Sequence, residues 1–239
     1  MTQSAKPTGS APQPSRSEAA AQTLRAAIFA GHYPPGAPLR EIRIARELGV
    51  SQATVREGLQ KLEREGLVTR TPNIGSSVVR LSPKDIRERV QLRAELEIRA
   101  ARLAADRIGQ VEYEELEQRL AILQQAVQQD AHYEAAQADL EFHRHIWRCS
   151  GNATLASVLE QLAIPLFAFV SLLRHSGLEH LPDVVAAHEP LLEALRSKDD
   201  ARIEQAFRLG ATESYRQYMD TRRGASEAFA FGWMATGDQ

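Results

Sequence analysis

The chain has 239 residues, 43% hydrophobic and 25% charged, which is ordinary globular usage and excludes a disordered chain or a coiled-coil rod. One cysteine, Cys149, excludes an intramolecular disulfide framework and a cysteine-based zinc ribbon. The net charge of −2 conceals an asymmetry, because residues 17–80 hold nine Lys/Arg against six Asp/Glu while residues 81–239 hold 18 against 25; a basic N-terminal part suits a polyanion partner, although a modest excess alone decides nothing.

Residues 1–16 are rich in Pro, Ser, Thr and Gly without an apolar period and read as a disordered tail. Order is expected from Ser17, which can cap a helix running to about Ala30 before Gly31 stops it. Tyr33-Pro34-Pro35-Gly36 must be an extended turn. A short helix Glu41–Leu48 ends at Gly49, and Ser51 caps a third helix that reaches about Glu65 and ends at Gly66. The period then changes to two β-like runs, Leu67–Arg70 and Ser77–Arg80, around a breaker-rich turn. Helices followed by a hairpin over residues 17–80, with a tight Gly49-Val50-Ser51 connection, have the layout of a winged helix-turn-helix.

Residues 81–84 form a linker at Ser82-Pro83. From 85 to 225 the chain reads as an all-α bundle with period-3.6 stripes. The first stripe is Leu92, Leu96, Ala100 and Leu103, followed by Leu116, Leu120, Leu123 and Val127, then Leu140, His143 and Trp147. Further on come Leu155, Leu159, Leu162 and Leu166 with a kink expected at Pro165, then Val184, His188, Leu191 and Leu195, and last Ile203, Phe207 and Gly210. Residues 226–239 are a C-terminal tail. The fold expected is therefore mostly α, a winged helix-turn-helix followed by a helical bundle. The longest apolar run, Leu162 to Leu173, is 12 residues, short of the roughly 18–20 that a spanning helix needs. With no apolar h-region near the N-terminus, a cytoplasmic protein without a membrane partner is expected.

A helix in the major groove reads bases with its first turns while its cap and amides hold phosphates. Here that stretch is Ser51-Gln52-Ala53-Thr54-Val55-Arg56, with Val55, Leu59 and Leu62 toward the core and Gln52, Ala53, Arg56 and Gln60 outward. Glutamine suits adenine, arginine suits guanine and alanine can touch a thymine methyl. The plain alternatives are a solvated helix face or a winged helix that serves protein contacts only.

The segment Ile28-Phe29-Ala30-Gly31-His32-Tyr33-Pro34-Pro35-Gly36, then Leu48-Gly49-Val50-Ser51, Val55-Arg56-Glu57, Leu62-Glu63 through Val68, and Pro72-Asn73 with Gly75, together resemble the GntR family of bacterial transcriptional regulators. The resemblance implies double-stranded DNA as partner, read by Ser51, Gln52, Ala53, Thr54 and Arg56 with Asn73 and Gly75 at the wing tip. It also implies a homodimer on a palindromic operator and an output that is more often repression. Gln52-Ala53-Thr54 and Ile42 depart from the usual Arg-Thr-Pro and Arg, so the operator preference does not carry over. Gly58 stands where Ala is usual, and glycine inside a helix costs about 1 kcal/mol relative to alanine.

The helical part resembles the FCD effector domain, on Leu92-Arg93 with Leu96-Glu97, Asp139 with Phe142-His143-Arg144, Ser150-Gly151-Asn152, and His188 with Leu191-Leu192. Asp139 and His143, four apart, project from one helix face. With His188 they offer three ligands for a divalent transition ion such as Zn, Ni or Mn. The family's fourth ligand position holds Gly210. Three readings stay open: a metal with open positions for water or a small carboxylate effector, a metal-free site that binds the carboxylate directly, or a satisfied Asp–His pair. Arg93 either pairs with Glu97 on the helix surface or, as the resemblance implies, reaches inward to hold an acidic effector. His132, His145, His175 and His180 read as surface residues. A ligand-responsive regulator, and no enzyme, is the leading function. The alternative is a metal-dependent enzyme on Asp139, His143 and His188, for which the nearest base, Glu141, points off their face; a helical adaptor would leave the cluster unexplained.

Overall fold

The computed structural model describes residues 15–175, 184–213 and 215–216. Of the expected tail 1–16, residues 15 and 16 are ordered as the cap and first residue of a helix; residues 1–14, the expected tail 226–239, His180 and the side chain of His175 lie outside the described residues. The N-terminal part consists of α1 (Arg16–Phe29), β1 (Pro38–Leu39), α2 (Glu41–Leu48), α3 (Gln52–Arg64), β2 (Val68–Thr71) and β3 (Gly75–Val78). The helical part follows as α4 (Pro83–Ala105), α5 (Gln110–Gln128), α6 (His132–Cys149), α7 (Ala153–His175), α8 (Glu189–Ser197) and α9 (Asp200–Glu213). The fold class is the expected one.

The helix-turn-helix follows from its punctuation. Gly49 takes the left-handed conformation at φ 64°, which ends α2, and the Ser51 hydroxyl accepts from the Thr54 N–H to start α3. α1 begins earlier than expected because Ser15, not Ser17, caps it through the Glu18 N–H. The hairpin lies closer to its tip than the apolar runs suggest, with Thr71 opposite Gly75 and Val68 opposite Val78. Val79 and Arg80 fall outside the ladder, and β1 adds a third strand against β3. Two residues are too short a strand to leave a period in sequence. Gly58 also finds its reason here: a Cβ at that position would lie 3.3 Å from both the Ala21 amide nitrogen and the Ser17 carbonyl oxygen, so α1 and α3 cross on a glycine.

The two parts share one apolar cluster, in which Phe29, Val55 and Leu62 join Trp147, Leu159 and Phe167. The Ser171 hydroxyl donates to the Phe29 carbonyl at 3.1 Å, and the Phe29 and Tyr133 rings meet edge-on at 6.1 Å. Residues 153–172 of α7 have a mean hydropathy of 1.8 and are long and apolar enough to cross a membrane. Polar residues at Ser157, Glu160 and Gln161 break its apolar run in the sequence, and Leu159, Ile164, Leu166 and Phe167 are buried in the fold, as in the central helix of a bundle. The helix continues through Pro165.

Three stripes differ from expectation. On α4 the buried face is Ile86, Val90, Arg93, Glu97, Ala101 and Ala104, while Leu92 is 49% exposed. Alanines there bring neighbouring helices close, and two charged side chains go inward with them. Val127 is exposed and Ala126 buried in its place. His188 does not sit within a helix: residues 184–188 form a turn, and α8 starts at Glu189 with a proline in its first turn, where its missing N–H does no harm.

Candidate functional site

Two sites emerge, one on each part. The winged part displays Ser51, Gln52, Ala53 and Arg56 on the exposed side of α3, with Thr54 partly covered by its contact to Ser51. Asn73 (φ 63°) and Gly75 (φ 116°) form the exposed wing tip around Ile74. The Arg56 guanidinium is held by the Glu41 carboxylate of α2 at 2.7 Å. An exposed helix start beside an exposed wing tip is the arrangement in which such domains dock on a groove.

The helical part closes around a small cavity of about 40 Å³ bounded by Arg93, Asp139, His143, His188, Gly210 and Tyr215, among others. One water needs about 10–15 Å³, so the space suits an ion with its waters or the carboxylate end of a ligand. Ligand atoms of Asp139, His143 and His188, all buried, lie within 4.8 Å of one another. Asp139 Oδ1 is 3.1 Å from His188 Nε2 and 3.6 Å from His143 Nε2.

The outer nitrogens explain that convergence. His188 Nδ1 lies 2.5 Å from the Val184 carbonyl, and His143 Nδ1 lies 3.2 Å from Glu97 Oε1. The hydrogen bond fixes the His188 ring and the charge contact faces the His143 ring, so both leave their opposite nitrogens aimed inward, and metal-ligating histidines are held in this way. Glu97 in turn accepts from Trp147 Nε1 at 3.2 Å and from Arg93 Nη2 at 3.3 Å, all buried. Burial alone would raise the Glu97 carboxyl; the Arg93 guanidinium and His143 outweigh it and hold the pKa at about 2. Burial opposes a charged His188, yet its bond to Asp139 raises its pKa overall. Arg93 lies 4.7 Å over the Phe167 ring. Its Nε, Glu97 Oε2 and His143 Nδ1 are buried without a hydrogen-bond partner of good geometry, so charge rather than hydrogen bonding holds this part of the cluster together. The residues fit a divalent ion.

Arg93 and Glu97 are thus a buried ion pair rather than a surface one. Spacing along the chain does not mark Glu97, Tyr215 or Glu213 as site residues, yet Tyr215 and Glu213 line the cavity and Glu97 lies behind it. The signal for Glu97 is instead its place on one helical stripe with 86, 90, 93, 101 and 104. His145 corrects another expectation: it is 8% exposed, beside Glu115 (3.4 Å) and Cys149 (3.5 Å), because α5 covers it. Glu141 is engaged by Arg144 and Arg148 at 2.7 and 3.0 Å, away from the cavity, so it supplies no general base there.

Comparison with known proteins agrees with this division. Residues 16–78 match the model for bacterial regulatory proteins of the gntR family, and residues 88–209 match the FCD domain. The chain belongs to the GntR family. Within that family it is 32% identical over 180 residues to the "Probable D-xylose utilization operon transcriptional repressor" of Paenarthrobacter nicotinovorans, covering 75% of this chain and 78% of the relative. The "Gluconate operon transcriptional repressor" of Bacillus licheniformis is 26% identical over 184 residues, 74% of each chain. The solved structure "E. coli McbR/YncC" has the same fold, with a TM-score of 0.73 at 24% identity over 86% of this chain and 100% of that one.

This GntR chain is accordingly a DNA-binding transcriptional regulator with an FCD effector domain, and not an enzyme. The cavity is lined by residues of the helical part, most of them within the FCD match, and the exposed α3 face lies in the gntR match.

Proposed function

We propose that this regulator is a cytoplasmic repressor that binds a palindromic operator as a homodimer and responds to a small carboxylate. In this reading Ser51, Gln52, Ala53, Thr54 and Arg56 contact the major groove, and Asn73 and Gly75 bring the wing to the flanking backbone. A symmetric dimer is needed because one winged domain reads only a few base pairs. Asp139, His143 and His188 hold a divalent transition ion, Zn, Ni or Mn; when bound, it supplies positive charge and open coordination positions for an acidic ligand. Arg93 contributes a second cation on the cavity wall. The named repressors of D-xylose and gluconate operons support repression, and gluconate is itself a carboxylate.

The observation that carries the metal is the placement of the two imidazoles, His188 hydrogen-bonded to the Val184 carbonyl and His143 in charge contact with Glu97, with both Nε2 atoms facing Asp139. Metal content of untagged protein by mass spectrometry tests it: wild type should carry about one equivalent, and His143→Ala far less. Gly210→His should raise affinity further, with Leu191 yielding, since a Cβ there meets its Cδ2 at 3.3 Å. Equal, stoichiometric metal in wild type and His143→Ala would remove the cluster as the site. The direct 3.1 Å contact of His188 with Asp139 favours a second reading, a metal-free site that takes the carboxylate on Arg93. A melting shift with gluconate in metal-free protein would support it.

A further inference from the structure

The base-reading arginine is not free to swing. Glu41, the first residue of α2, places Oε1 3.2 Å and Oε2 3.1 Å from Arg56 Nε, with Oε2 also 2.7 Å from Nη2. The carboxylate therefore grips the guanidinium from its side. A guanidinium has five N–H donors in a rigid plane, so a side-on partner leaves the end-on pair of Nη hydrogens for another acceptor. Arg56 remains 50% exposed while Glu41 is 23% exposed, so the carboxylate lies underneath and the arginine above it.

We propose that Glu41 is a positioning residue for base reading: it clamps Arg56 so that the end-on edge meets O6 and N7 of a guanine. This rests on the proposed contact of Arg56 with DNA. An exposed ion pair adds little to folding, and an acid on a face that meets a polyanion opposes binding. A first-turn acid does favour a helix N-terminus, but that needs no reach across to α3. Clamping accounts for the reach, because a long side chain already held in its bound geometry loses less freedom on meeting the base.

The sign of the effect makes the test sharp. An operator is selected with wild-type protein from a random duplex pool. Anisotropy at fixed salt then gives affinities for that operator, for the same duplex with 7-deazaguanine (which lacks the N7 acceptor) at the contacted guanine, and for a random duplex. Glu41→Gln should bind the operator about tenfold more weakly, bind the random duplex as tightly as wild type or more so, and lose most of the 7-deazaguanine penalty, with an unchanged melting midpoint. Glu41→Asp, too short to hold both nitrogens, should fall between. If Glu41→Gln strengthens binding to operator and random duplex alike and keeps the full penalty while Arg56→Ala is impaired, positioning is overturned and Arg56 reading stands. If Arg56→Ala binds the operator like wild type, both are overturned.

Discussion

Two arginine–glutamate pairs divide the labour of this molecule. Arg56–Glu41 lies on the winged part at 2.7 Å with the arginine half exposed, whereas Arg93–Glu97 lies under the cavity at 3.3 Å with both side chains buried. The chemistry is the same and the environments are opposite. On the surface a pair can stay formed while one edge of the arginine remains open to water, which suits the proposed role of Arg56 in meeting a base without letting go of Glu41. In the interior neither charge can be left alone, so the buried pair fixes the wall behind His143 and ties α4 to α6 through Trp147.

That contrast predicts a ranking of mutational effects. Arg93→Ala leaves Glu97 buried without its main counter-charge and should cost about 3–5 kcal/mol in chemical denaturation. The double replacement Arg93→Met with Glu97→Leu should recover most of that loss, and failure to do so would mean that the pair's contacts to Trp147 and His143 dominate. Arg56→Ala should leave the melting midpoint unchanged and weaken operator binding by roughly ten- to hundredfold in a salt-controlled titration; a folding defect instead would make its pair structural, like the buried one.

Smaller effects come from the frame that carries each pair. Gly58→Ala gains helix propensity of about 1 kcal/mol, but its Cβ meets backbone atoms of α1 at 3.3 Å on two sides. Overpacking of about 1–3 kcal/mol should win and lower stability overall. At the linker, Ser82 and Asp85 form a reciprocal cap on α4, so Ser82→Ala should cost about 1 kcal/mol. The Ser82 hydroxyl and amide bonds lower the Asp85 pKa against a small burial penalty. A carboxylate lowered on folding contributes stability above the ordinary carboxylate range and loses it as pH falls through the folded value. The difference between wild type and Asp85→Asn should therefore shrink in acid denaturation.

How much was legible in sequence also follows the exposed–buried divide. The winged part could be read because its signals are local: Gly49, Ser51 and Gly66 punctuate helices by backbone conformation and capping, and α2 falls at Glu41–Leu48 as expected. The outward set Gln52, Ala53 and Arg56 follows from one helical period. In the helical part the clustered pair Asp139 and His143 is legible from i, i+4 spacing, but its supports are not. Arg93 and Glu97 look like a solvated pair until Ile86, Val90, Ala101 and Ala104 are placed on the same face. His145 is covered by α5, a tertiary fact that its own spacing does not carry. His188 is the N-cap of a helix that starts at Glu189 with Pro190 in its first turn, so its periodic spacing with Leu191 arises without a continuous helix.

The central claim is that the buried site governs the exposed one. It is tested most directly by operator affinity, measured by anisotropy on metal-loaded wild type and His143→Ala with and without a series of small carboxylates that includes gluconate. A ligand can shift DNA binding only through different affinities for the two protein states. The account predicts that at least one carboxylate weakens operator binding by wild type and that His143→Ala no longer responds while still binding DNA. An equal response in both proteins, or no response in wild type to any carboxylate of the series, would contradict it.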